Sequence, residues 1–298
     1  MSHGDITKPL IGEEMGDKEL NVYSEGLGIL IEDGLIVKII DSEGLISEYA
    51  PSWDRFSEKL GNMNIIDAKG GAIVPGFVDS HTHLIWDGDR SNEIALRQKG
   101  LTYTDISKLG GGISKTVEST RSCSIDELVE LGAYRAYDAL KLGTTTMEAK
   151  SGYGLDTLSE LKLLEATERV NKISPCEIQA TWLGAHDIPS RMSKEEYIEE
   201  LIGKQLPMVV NQGIANWADV FCEPGWFTID DTFEIITASD NSNKFDASLE
   251  EVFHLISDYG YSEVYPKEFG KEKDSVIGGL MNNARGGYFQ KVPNKYPK

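Results

Sequence analysis

The order of apolar and polar positions predicts strands first, then alternating strands and helices. Leu27-Gly-Ile-Leu-Ile31 and Leu35-Ile-Val-Lys-Ile-Ile40 are apolar runs separated by Asp33-Gly34, and Asp-Gly between two such runs predicts a β-hairpin. Residues 41–62 read as a polar insertion around Pro51, Trp53 and Phe56. Asn64-Ile-Ile-Asp67, followed by Lys69-Gly-Gly71, adds a short strand and turn. Ile73, Val74, Phe77 and Val78 predict a buried strand, entered through Pro75-Gly76 and running into Ser80-His-Thr-His83.

Beyond this strand the period lengthens to that of amphipathic helices. Ser124 with Glu127, Thr157 with Glu160, and Ser193 with Glu196 have the capping-box spacing that starts a helix. The first of these helices carries Leu128, Val129, Ala136 and Leu140 on one stripe and stops at Gly143. Pro207 interrupts the third and is expected to kink or end it. Between the helices lie Thr144–Met147, Ile178–Leu183 and Asp219–Cys222, short runs suited to strands. Strand and helix alternating at this spacing predict βαβ units around a parallel sheet. The domains expected are a disordered N-terminus over residues 1–19 and a small β module over 20–72. A partial (β/α) barrel follows over 73–238, then a partly helical tail over 239–298.

Reactive side chains sit where these strands end. Side chains alternate along a strand, so His81 and His83 point the same way and could offer nitrogens to one cation. The plain alternative is two polar residues facing solvent. Further strands end in Glu148-Ala-Lys-Ser-Gly-Tyr153, Gly184-Ala-His186 and Glu223. In a (β/α) barrel the C-terminal strand ends form the catalytic face. A metal-dependent hydrolase is therefore the leading reading.

Composition narrows the partners. With 29 Lys and Arg against 49 Asp and Glu the net charge is −20, which argues against nucleic acid or an anionic membrane as partner. No apolar run has the length of a bilayer span, and residues 1–16 lack the form of a secretory signal. Cys123, Cys176 and Cys222 are scattered and odd in number, which implies no disulfide framework and leaves the cytoplasm as the default compartment.

The motifs, taken in order, resemble those of the imidazolonepropionase family within the amidohydrolase superfamily. They are Val74-Pro-Gly-Phe-Val-Asp-Ser-His-Thr-His83, Gly88-Asp-Arg90 with Glu93, Tyr103, Gly110-Gly-Gly-Ile113 with Thr116-Val117, Lys150-Ser-Gly-Tyr-Gly154, Leu183-Gly-Ala-His186 and Asp219-Val-Phe-Cys-Glu223. The resemblance covers roughly residues 20–230. It implies the hydrolysis of 4-imidazolone-5-propionate to N-formimidoyl-L-glutamate in histidine degradation, by a water activated on one zinc or iron ion. His81 and His83 would be metal ligands, Arg90 would bind the propionate carboxylate, and Tyr153 and His186 would contact the substrate. Tyr103 is a further candidate for the same pocket.

Each assignment has a competing structural explanation. Arg90 could instead form a surface ion pair with Asp87 or Asp89, Tyr153 could be a packed loop aromatic, and His186 a satisfied polar residue. Lys150 could be a metal-bridging modified lysine, as in binuclear relatives, but a structural ion pair is the preferred reading.

The resemblance also implies parts that this sequence does not contain. The family's third metal histidine lies in a His-Ala-Asp-Glu segment whose glutamate is the acid/base, and a further histidine and a metal-binding aspartate come later. The one histidine beyond His186 is His254, in a predicted helix and expected to be structural. The catalytic acid/base is therefore unassigned. Four βα units over about residues 75–238 leave too little chain to close an eight-stranded barrel. The expectation is an incomplete amidohydrolase-type TIM barrel joined to an unrecognised tail. It would act on a small-molecule substrate, or else be a non-catalytic fragment that retains binding; a homo-oligomer is one way to cover its open edges.

Overall fold

The computed structural model describes residues 17, 25–52, 59–60, 63–102, 105–106, 109–223 and 225–242. Their contacts group the chain into two units, Met1–Pro75 and Gly76–Lys298.

In the first unit β1 (Leu27–Glu32) and β2 (Leu35–Asp41) pair antiparallel. Asp33 and Gly34 form the turn, both with positive φ, as a tight hairpin turn of this kind requires. Residues 42–49, expected to be polar insertion, form a helix instead, α1 (Ser42–Tyr49). The Asp41 side chain accepts from the Gly44 amide at its start, a cap placed at the last residue of the preceding strand. Two short strands, β3 (Lys59–Leu60) and β4 (Met63–Asn64), form a second antiparallel pair.

The second unit holds a four-stranded parallel sheet in the order β5 (Phe77–Thr82), β6 (Thr144–Lys150), β7 (Glu177–Ala185) and β8 (Trp217–Val220). Between β5 and β6 lie α2 (Asn92–Gln98), α3 (Ile113–Ser122) and α4 (Ile125–Lys141). The next two crossovers carry α5 (Thr157–Ile173) and then α6 (Lys194–Glu200) with α7 (Leu206–Gln212); α8 (Ile229–Asp240) follows β8. This parallel arrangement with crossover helices fits a partial barrel.

Strand alternation gives the sheet two different faces. Met147, Ala149 and Ile178 pack into one core with Leu128, Ala136, Leu163 and Val170 from α4 and α5. Ala180 and Trp182 pack into another with Tyr197, Leu201, Val209 and Ile235. The intervening residues of β6 and β7, among them Glu148, Lys150 and Thr181, project from the opposite face. Helices thus cover the apolar face and leave the polar one to carry chemistry.

Two local expectations change. The run Ile73, Val74, Phe77 and Val78 is not buried: these side chains are 63, 65, 58 and 53% exposed. Ile73 and Val74 lie outside any described strand, and among the described residues β5, which carries Phe77 and Val78, pairs on one side only, with β6. Pro207 does not end its helix. The chain passes from α6 through a π-helical turn, Leu201–Gln205, and Pro207 falls in the first turn of α7, where its missing N–H costs little. No described helix is long and apolar enough to cross a membrane.

Candidate active site

The C-terminal ends of β5, β6 and β7 bring three ring side chains together. The His83 and His186 imidazoles stack with centroids 4.6 Å apart and planes 13° apart. The Tyr153 ring lies 4.7 Å from His83 and 5.2 Å from His186. These residues come from three separate sequence segments, which the parallel order of β5, β6 and β7 brings to one end of the sheet. The ring wall continues through Phe221, edge-on to His186, and Trp226, edge-on to Phe221. Trp226 donates its indole N–H to Asp187 at 2.8 Å. Trp226 and Asp187 lie in loops without periodic pattern, and sequence reasoning did not find them; Phe221 falls in the Asp219–Glu223 motif but was given no role.

His81 lies on the same strand as His83, its ring centroid 6.5 Å away and its plane nearly perpendicular. Burial lowers the pKa of both residues, His83 well below the ordinary value; His186 and Lys150 add to this for His83, and Lys150 for His81. Both imidazoles are therefore neutral at neutral pH, the form in which they ligate metals. The buried Nδ1 atoms of both meet no hydrogen-bond partner among the described residues.

The polar sheet face beside them carries a buried charge triad. Lys150 Nζ donates to Glu148 at 2.8 Å and to Asp219 at 2.9 Å. Glu148 also accepts from the Thr181 hydroxyl at 2.6 Å. Burial opposes the Lys150 charge, but Asp219 and Glu148 hold its pKa above the ordinary value. Lys150 is thus a structural ion pair.

Arg90 belongs to a different cluster. Its Nε and Nη2 fork onto the two oxygens of Glu93 at 3.0 and 2.9 Å. Glu93 is buried and also accepts from the Gly112 amide at 2.7 Å. The Arg90 hydrogen bonds hold Glu93 below the usual carboxylate range against the cost of burial. Among the described residues the ion pair of Arg90 is with Glu93, while Asp87 accepts from Ser119 and Asp89 from Ser91. Tyr103, His254 and the tail from residue 243 lie outside the described residues.

The loop that presents Tyr153 is built on Glu160. Thr157 and Glu160 were read as a capping box, but Asp156 is the cap of α5, accepting from Ser159 at 2.9 Å. Glu160 turns inward and accepts from the amides of Gly152, Gly154 and Leu155 at 2.9, 2.7 and 2.9 Å. Burial pushes its carboxyl pKa up, while the Ser151 hydroxyl and these amide donors pull it back. Arg121 fastens the same loop from outside, donating to the Gly154 and Leu155 carbonyls and pairing with Asp156.

His81 and His83 would supply only two of the three protein donors usual for a catalytic zinc. No group of three His, Cys, Asp or Glu side chains among the described residues could hold a metal ion. Glu148 and Asp219 are already engaged by Lys150. The described residues therefore do not complete a metal centre.

Residues 64–162 match a profile of the amidohydrolase family. The chain is 41% identical to the imidazolonepropionase of Alkaliphilus metalliredigens over 218 residues, which is 70% of this chain and 50% of that protein. It is 46% identical to that of Myxococcus xanthus over 66% of its own length and 47% of the relative's. With the Clostridium tetani imidazolonepropionase it shares 37% identity over 82% of itself and 56% of the relative. The chain spans about half the length of the curated relatives it matches.

Proposed function

We propose that this chain has the activity its relatives are named for and opens the ring of 4-imidazolone-5-propionate to give N-formimidoyl-L-glutamate. Water adds to the ring carbonyl, the ring C–N bond breaks, the carbonyl carbon becomes a carboxylate of the opened product, and the released nitrogen takes up a proton. The observation that carries this reading is the convergence of His83, Tyr153 and His186 at the strand ends. They come from three motifs that resemble, in order, those of the imidazolonepropionase family, and their stacked and tilted rings suit a flat heterocycle. Tyr153 and His186 would bind and orient the ring, and Tyr103 is a further candidate in the same pocket. Arg90 would take the propionate carboxylate, its guanidinium aimed by Glu93. The family's single divalent ion, zinc or iron, would use His81 and His83, with its remaining donors and the acid/base glutamate supplied from beyond the described residues.

A second reading is favoured by the two-donor count and the half-length match. In it the chain binds the heterocycle through these side chains and turns nothing over. The assay that separates the two measures bound zinc and iron in the purified chain together with loss of imidazolonepropionate absorbance. Hydrolysis accompanied by about one ion per chain supports the first reading; binding without turnover replaces it with the second. In either case Arg90→Ala should weaken ligand binding about tenfold to a hundredfold, the equivalent of roughly 1.5–3 kcal/mol for a charge-assisted pair. Unchanged affinity would remove Arg90 from the site.

A further inference from the structure

Glu160 is a fully buried carboxylate whose surroundings are too specific for packing alone. Its partners are the Ser151 hydroxyl and three backbone donors, at Gly152, Gly154 and Leu155, all from one short loop. That loop bends sharply, with φ of +108° at Gly152 and +50° at Leu155. Both glycines of the Gly-Tyr-Gly segment are explained by it. A Cβ at Gly154 would lie 2.6 Å from the Glu160 amide nitrogen, and one at Gly152 would lie 2.8 Å from both His186 Nδ1 and the Leu183 carbonyl. The Gly152 carbonyl in turn stands 2.9 Å from His186 Nδ1. A carbonyl only accepts, so Nδ1 carries the proton.

We propose that Glu160 is a positioning residue for the ring-binding site. By holding the 151–155 loop it sets the Gly152 carbonyl against His186 and fixes that imidazole as the Nδ1–H tautomer, with the lone pair on Nε2. The same loop fixes the aim of Tyr153. Glu160 touches no substrate in this role and acts through the loop that it gathers, by its amides and by the Ser151 hydroxyl. The assignment of His186 and Tyr153 to a substrate rests on the function proposed above; the tautomer does not.

The test uses the intact chain with nitrogen-15 labelled histidines. The chain has five histidines, and the His186 signals are assigned by their loss in His186→Gln. In the wild type, His186 should show a protonated Nδ1 and an unprotonated Nε2. In Glu160→Gln one carboxylate oxygen becomes an amide donor facing a backbone N–H, so the loop loses a contact and His186 should become a mixture of tautomers. Thr167→Val is the control: it removes a buried hydroxyl on the same helix, bonded to the Leu163 carbonyl, and should leave the tautomer unchanged. A wild-type proton on Nε2, an unaltered His186 in Glu160→Gln, or an equal change in Thr167→Val would each overturn the proposal. If Glu160→Gln does not fold, amide exchange in the wild type decides. The Gly152, Gly154 and Leu155 amides should exchange as slowly as the core of α5, and fast exchange would overturn the role. Where hydrolysis is measurable, Glu160→Gln should lower kcat about a hundredfold and change KM less, the scale of effect of a slightly misplaced catalytic group. A wild-type chain with the Nδ1–H tautomer and no hydrolysis would refute the proposed function and support the positioning role.

Discussion

At the residue scale, Arg90 and the 151–155 loop are each held by a buried carboxylate. Arg90 depends on Glu93, and the sign of that dependence can be worked out. Glu93 ordinarily titrates at 4.5 and is held lower in the folded chain, first by Arg90 and against its burial. A carboxylate depressed on folding contributes stability above its unfolded pKa and loses it as pH falls through the folded value. Glu93→Gln should therefore destabilise the protein by roughly 1–3 kcal/mol near neutral pH. That deficit should shrink between about pH 5 and 3, as read from denaturant midpoints; a deficit constant with pH would mean that the pair contributes no charge term. Gly152 makes a second case. Its φ of +108° and the Leu183 carbonyl 2.8 Å from a built Cβ leave no room for a side chain. Gly152→Ala should cost about 1–3 kcal/mol of backbone strain and disturb His186, checked by urea unfolding and the His186 nitrogen signals. Sequence reading placed His81, His83, Tyr153 and His186 at or just beyond strand ends, which is why the convergence of the last three rings was legible, while the roles proposed for them rest on the resemblance. It missed the partner of Arg90, since nothing in a run of acidic residues shows which one the chain will bury.

At the scale of elements, local signals were legible and nonlocal ones were not. Ser124 with Glu127 and Ser193 with Glu196 form reciprocal capping boxes as the spacing predicts, because all their partners lie within one turn. Thr157 with Glu160 has the same spacing and fails. Asp156 is the better cap, and three loop amides compete for Glu160. The charge triad shows the same limit. Lys150 reaches from β6 across β7 to Asp219 on β8, a partner 69 residues away in sequence. Lys150→Met would leave Glu148 and Asp219 as buried carboxylates without their cation, and should cost about 3–5 kcal/mol. Thermal unfolding measures the loss, and adding Glu148→Gln to the variant should recover part of it by removing one stranded charge. Full additivity of the two substitutions would show that the triad is not coupled.

At the scale of the molecule, the alternation of strands and helices in the second unit was readable from period and turn residues, because a parallel sheet requires crossovers of about this length. The helix α1 was not, since its short polar sequence carries little apolar stripe. Exposure of the strand before His81 was also unforeseen: an apolar run signals a strand but does not say how many neighbours cover it. The sheet order has a further consequence in time. Phe77 of β5 pairs with Thr144, whereas Thr146 of β6 pairs with Glu177 and Thr181 of β7 with Trp217. The β5 closure spans about twice the sequence of either other closure, and loop entropy adds roughly 0.6 kcal/mol for each doubling. During refolding β6, β7 and β8 should zip first and β5 should dock last, so protection of the Val78 and Asp79 amides should trail that of Trp182 in pulsed exchange. The histidine pair travels on the late strand, and a stalled or newly made chain would hold a formed Tyr153 loop before it could grip anything with His81 and His83.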